Sequence, residues 1–255
     1  MLEHFLITQI FCFLLVFCRI GSGIMVFPGF GETYVPVTIR LGFALAICLV
    51  MVPVLSNVIP PLPSSGIMLM LLVFNEILIG IFIGSLCKIL VGVTHVAGTI
   101  FSLQAGVSSA VVFDANQNSQ GSIVGNLFGL VTIVLIFCTD LHYLMLRGIT
   151  ESYSVFVPGK YPPLADFVGS IAHTVSDSFS LAIQISAPSI IIGTLLFLGA
   201  GIISRLMPNV QVFFIIIAPQ LMIGFFVLIA TFSAMMLFYM EFYKDHLLSI
   251  MGYLK

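Results

Sequence analysis

The sequence predicts an all-α, membrane-associated protein of about six apolar helices, and three observations lead there. Asp, Glu, Lys and Arg make up only 7 % of the 255 residues while 60 % are hydrophobic, against roughly 25 % charged residues in an ordinary soluble domain. The mean hydropathy is +1.23, so too little polar surface exists to keep a globule of this length dispersed. Charge-free stretches recur at lengths suited to a hydrocarbon core near 30 Å thick, which a helix crosses in about 20 residues.

Turn signals divide the chain into helices near 5–27, 36–58, 66–103, 123–147, 178–203 and 210–240. The first stops at Pro28-Gly29-Phe30-Gly31-Glu32. The second carries Pro53 and gives way to Pro60-Pro61-Leu62-Pro63-Ser64-Ser65-Gly66. The third runs into a segment at 104–122, and a polar linker at 148–177 separates the fourth from the fifth. Arg205-Leu206-Met207-Pro208-Asn209 forms a tight turn before the sixth. No connection is long enough to hold a domain, so residues 1–255 read as one subunit. Met1-Leu2-Glu3-His4 offers no cationic lead, and Arg19 interrupts the apolar run, so the first helix reads as retained and not as a signal peptide. Arg40 and Arg205 fall on one side, and Arg147, Lys160, Lys244 and Lys255 on the other, a weak charge asymmetry.

A net charge of −2 gives no basic footprint for nucleic acid. Cys12, Cys18, Cys48, Cys87 and Cys138 each lie in an apolar run without Cys-x-x-Cys spacing, and the histidines form no ligand pair, so neither disulfides nor a metal are expected. No phosphate loop, nucleophile elbow or dinucleotide fingerprint occurs, so no cofactor or enzymatic activity is expected.

Two small-residue stripes stand out: Gly80 and Gly84, continued by Gly92, and Gly121, Gly125 and Gly129. Spacing at i and i+4 lets helix backbones approach closely, within one chain or between subunits. Arg19, Glu76 and Lys88 are embedded in apolar helices, with Arg205 at the end of another. Each costs on the order of 2.5–3.5 kcal/mol at a bilayer centre. They read as an ion or proton relay, as inter-helix or inter-subunit ion pairs, or as side chains that snorkel to an interface. The 104–122 segment sets the apolar triplet Val111-Val112-Phe113 among small and polar residues. Irregular backbone at membrane depth survives only inside protein or beside water, so the segment is a surface loop or a re-entrant plug.

Arg19 with Phe27-Pro28-Gly29-Phe30-Gly31, Val35-Pro36 with Arg40, and Glu76 with Gly80 and Gly84 begin a pattern that continues along the chain. It runs through Ala97-Gly98, Gln104-Ala105-Gly106, Phe113-Asp114, Phe137 with His142, and Ala187-Pro188. It ends with Arg205 before Met207-Pro208-Asn209-Val210, and Pro219 with Gly224. In this order the pattern resembles the FliR family, the R-type subunit of the flagellar type III export gate and counterpart of the injectisome T subunit. Two positions depart from it: Ala115 stands where the family has proline, and Thr139-Asp140-Leu141-His142 where it has Asn-Gly-His.

The resemblance implies helical hairpins packed in a spiral hetero-oligomer with P-type and Q-type subunits, associated with B-type and A-type export components. It implies a bacterial inner-membrane location in the flagellar basal body, with part of the assembly raised toward the periplasm. Unfolded export substrates pass through a channel that such a subunit helps to form. The segment around Gly106, Val111, Val112, Phe113 and Asp114 corresponds to the plug that closes this channel. A multi-pass secondary transporter using Glu76 and Lys88, and a purely structural scaffold, are the competing readings.

Overall fold

The computed structural model describes residues 2–56, 58–107, 122–161, 164–207 and 212–253, and these are all-helical, with no strand among them. The helices are α1 (Leu2–Val26), α2 (Val37–Leu55), α3 (Gly66–Gln104), α4 (Ile123–Cys138), α5 (Leu141–Val155), α6 (Leu164–Leu206) and α7 (Val212–Tyr253). Among the described residues, five helices are long and apolar enough to cross a membrane, or six when the bent pair α4 and α5 counts as one span. This agrees with the six apolar segments read from the sequence.

Two differences have physical causes. The helix expected over 123–147 is two helices bent by 77°. The break falls at Asp140, whose φ of 60° is a left-handed conformation that a short polar side chain tolerates. The polar linker expected at 148–177 is largely helix, since α5 continues to Val155 and α6 begins at Leu164. Polarity there marks a change of surroundings, and the backbone bonds carry on through it.

The chain folds into two compact units. One takes in Met1–Leu90, Phe137–Thr174 and Lys244–Lys255. Here α1 packs against α2 and α5, with Leu15, Val16, Ile20, Ile24 and Phe27 fully buried. The turn after α1 folds back on it: Gly31 donates its N–H to the Phe27 carbonyl at 2.7 Å. A Cβ on Gly31 would meet the Met25 carbonyl, so only glycine fits. Arg40 ties the same turn to α2, its Nε donating to the Val35 carbonyl at 3.0 Å and its guanidinium to the Gly31 carbonyl at 3.2 Å.

The other unit comprises Val91–Ile136 and Val175–Tyr243. Its core gathers Phe101, Ala105, Val107, Val124, Phe128, Val227, Leu228 and Met236 from α3 and the turn that follows it, α4 and α7. Thr132 on α4 donates to the Thr94 hydroxyl of α3 at 3.0 Å, and both are buried. Pairing the hydroxyls in this way avoids the cost of burying an unsatisfied polar group.

Candidate functional site

In the first unit, the embedded charges Arg19 and Glu76 meet. Arg19 Nε lies 2.6 Å from Glu76 Oε2 and its terminal nitrogen 3.0 Å from Oε1, a two-point pairing in which the side chains are 0 % and 1 % exposed. The same guanidinium donates to the Phe156 carbonyl at 2.8 Å and to the Ser152 hydroxyl at 3.3 Å. It also stacks 4.0 Å above the buried Tyr153 ring. One cation thus binds α1 to α3 and satisfies a carbonyl at the end of α5, where the helix has no further backbone donor to offer. Of the roles open in the sequence, the inter-helix ion pair is the one that Arg19 and Glu76 take. Lys88 and Arg205 are exposed; Arg205 lies in the last turn of α6, where a cation favours the helix dipole.

The first glycine stripe sits directly beside this pair. A Cβ on Gly80 would run into Ser22 Oγ and the Arg19 carbonyl, and one on Gly84 would meet Val26 and the Gly23 carbonyl. On α1, Gly23 answers with the same constraint, since a Cβ there meets Ile149 of α5. Gly80 and Gly84 therefore let α1 and α3 cross within the chain, close enough for the ion pair to form. Gly92, by contrast, has open space where a Cβ would stand.

In the second unit, both described ends of the 104–122 segment are fixed. Gly106 takes a φ of 72° just past the end of α3, the left-handed position that favours glycine at a helix C-terminus. Gln220 on α7, 5 % exposed, donates from Nε2 to the Gln104 carbonyl at 2.8 Å. Its amide lies against Gly106, 3.2 Å from where a Cβ would be. The next residue, Val107, is buried in the core of this unit. At the far end, Ser122 Oγ accepts the Gly125 N–H at 3.1 Å, capping α4, and lies 3.4 Å from the Gly98 carbonyl of α3. Val111, Val112, Phe113, Asp114 and Gly121 lie outside the described residues.

Glycines again make this approach possible. A Cβ on Gly125 would stand 2.9 Å from the His95 carbonyl, and one on Gly98 would press on the Gly125 backbone. Gly193 on α6 makes room for the Gln104 side chain, and Gly224 on α7 for Ala105. Gly129, named with Gly125 in the second stripe, faces open space. Sequence reasoning passed over Gln220, Ser122 and Gly193. Gln220 had a signal to offer: it is an amide in a charge-free apolar run, directly after Pro219. No group of three or more His, Cys, Asp or Glu suited to a metal occurs among the described residues.

Comparison with known proteins places this architecture. The flagellar biosynthetic protein FliR of Caulobacter vibrioides is 31 % identical over 237 residues, covering 93 % of this chain and 94 % of the relative. That of Bacillus subtilis is 30 % identical over 224 residues, covering 87 % and 86 %. The same-named protein of Escherichia coli is 23 % identical over 206 residues, covering 81 % and 78 %. The family model described as bacterial export proteins, family 1, matches residues 10–246, which takes in the ion pair, the glycine crossings and the fixed base of the 104–122 segment. By a match of that extent, and as its resemblance to FliR implied, the chain belongs to the bacterial export proteins, family 1.

Proposed function

We propose that this chain is the R-type core subunit of a flagellar protein export gate in the bacterial inner membrane, and that its 104–122 segment plugs the secretion channel in the closed state. Relatives that match over most of their length are named flagellar biosynthetic proteins, which supports the flagellar assignment. The observation that carries the plugging role is the fixed base: Gln220 and Val107 hold one end of the segment, and Ser122 holds the other. An apolar tip of Val111, Val112 and Phe113 on such a base can seal by packing and withdraw without stranding a charge. Each fully buried Val or Phe contributes roughly 1.5–3 kcal/mol before ordering costs, enough for a seal that still opens.

Helix length supports a home among sister subunits. The 39 residues of α3 extend about 58 Å at 1.5 Å per residue, nearly twice a hydrocarbon core, and Lys88 is exposed midway along. Such a helix fits P-type and Q-type neighbours over part of its length and lipid over the rest, with the assembly raised toward the periplasm. B-type and A-type components then deliver unfolded substrates from the cytoplasm. A secondary transporter built on Glu76 finds less support, because both carboxylate oxygens are engaged by Arg19.

The test is ion leakage through the purified assembly in a planar bilayer. Phe113→Ser raises leakage while the assembly stays intact, and deletion of 107–118 raises it further. Wild-type leakage and secretion after that deletion favour the scaffold reading. Native mass measurement that finds the chain without partners after mild-detergent purification overturns the export-gate reading altogether.

A further inference from the structure

Polar side chains beside prolines bring α6 and α7 onto one stretch of α3. On α6, Ser186 precedes Pro188 by two residues, and its buried hydroxyl lies 2.7 Å from the Ala182 carbonyl and 3.2 Å from the Ala97 carbonyl of α3. On α7, Gln220 directly follows Pro219 and donates to the Gln104 carbonyl. Residues 97 and 104 are two turns apart, so the contacts fall on the same side of α3. The two differ in what they hold. Ser186 touches a carbonyl inside the helix, whereas Gln220 donates to the carbonyl of the last residue of α3. Gly224, one turn beyond Gln220, lets Ala105 seat against α7, and the Gln220 amide lies flat against Gly106.

We infer that Gln220 is the positioning residue for the 104–122 segment: its side-chain N–H clamps the end of α3 and thereby fixes the Gly106 corner from which the chain departs. This rests on the proposed sealing role of that segment, which it deepens by naming what holds the seal in register. The clamp works by donation, so its loss is separable from loss of packing. Gln220→Met keeps the length and removes the donor. Gln220→Glu keeps the shape and sets an acceptor against the Gln104 carbonyl. Gly106→Ala strains the left-handed corner and presses a Cβ onto the Gln220 amide. Ser186→Ala removes the α6 contact and serves as the control.

Hydrogen exchange on the intact assembly reads the corner directly. In the wild type, the amides of Ala105 and Gly106 exchange more slowly than that of Met207, which closes the exposed end of α6 onto the Ile203 carbonyl. Gln220→Met speeds exchange at 105 and 106 by roughly two- to tenfold, the loss of one hydrogen bond. Gln220→Glu speeds it more, and Ser186→Ala leaves it alone. Leakage follows the same order at unchanged assembly yield, and Gly106→Ala, which strains the same corner, raises it as well. Wild-type exchange at 105 and 106 as fast as at 207, or a Glu variant that behaves as wild type, overturns the clamp whether or not the other variants fold. Faster exchange without leakage keeps the clamp and overturns the sealing reading. Leakage from Phe113→Ser, with unchanged exchange in the Gln220 variants, does the reverse.

Discussion

Replacing Glu76 by glutamine tests the ion pair with almost no change of shape. In the wild type, Arg19 meets the carboxylate at 2.6 and 3.0 Å, and both side chains are cut off from solvent. Glu76→Gln leaves the guanidinium with the Phe156 carbonyl, the Ser152 hydroxyl and the Tyr153 ring face, none of which carries a compensating charge. Removing one partner of a buried pair costs about 3–5 kcal/mol. For a chain of this size, that lowers the melting temperature by roughly 6–20 °C. Thermal unfolding of the purified assembly in mild detergent reads the shift. The double replacement Arg19→Met with Glu76→Leu removes both charges and recovers part of the loss, because a buried pair gains little over well-packed apolar side chains, while the Phe156 carbonyl still lacks its donor. Wild-type melting in Glu76→Gln, or a double variant as damaged as the single, refutes the assignment of these charges as a mutually compensating structural pair.

Further outcomes follow from the glycines and the cap. Gly80→Ala and Gly84→Ala force backbone apart at the α1–α3 crossing and destabilise by about 1–3 kcal/mol, seen as lower accumulation of the chain in membranes. Gly92→Ala and Gly129→Ala meet open space, so within the isolated chain they leave stability unchanged or raise it by up to about 1 kcal/mol. If either instead blocks recovery of the hetero-oligomer, that face is a subunit contact. Ser122→Ala removes the cap of α4 at a cost of about 1 kcal/mol, measurable as faster exchange of the Gly125 amide.

Hydropathy made most of the helices legible because it measures the surroundings a segment requires, and five of six apolar segments correspond to single helices. It misjudged ends for the same reason. Glu241, Lys244 and Asp245 end the apolar run in α7, yet the helix continues to Tyr253. Asp166, His173 and Asp177 hide the first turns of α6, which begins at Leu164. The break at Asp140 escaped because apolar residues continue on both sides of it. At the sites, spacing flagged Gly80, Gly84 and Gly125, all of which sit against a neighbouring helix, but it also flagged Gly92 and Gly129, which do not. Periodicity locates a helix face, and only the crossing angle decides where along that face backbones touch. Arg19 and Glu76 were both visible as charges out of place. Their pairing was not, because they stand 57 residues apart.

That separation also sets a schedule. Arg19 leaves the ribosome 57 residues before Glu76 and 137 before Phe156. At about 5–20 residues per second, it waits roughly 3–11 s for its counter-charge and about 7–27 s for the carbonyl that completes its shell. Throughout that interval α1 carries an unneutralised cation, and it cannot settle in lipid as a finished span. The first helix therefore settles only after α3 and α5 have emerged, and just before α6 and α7 follow.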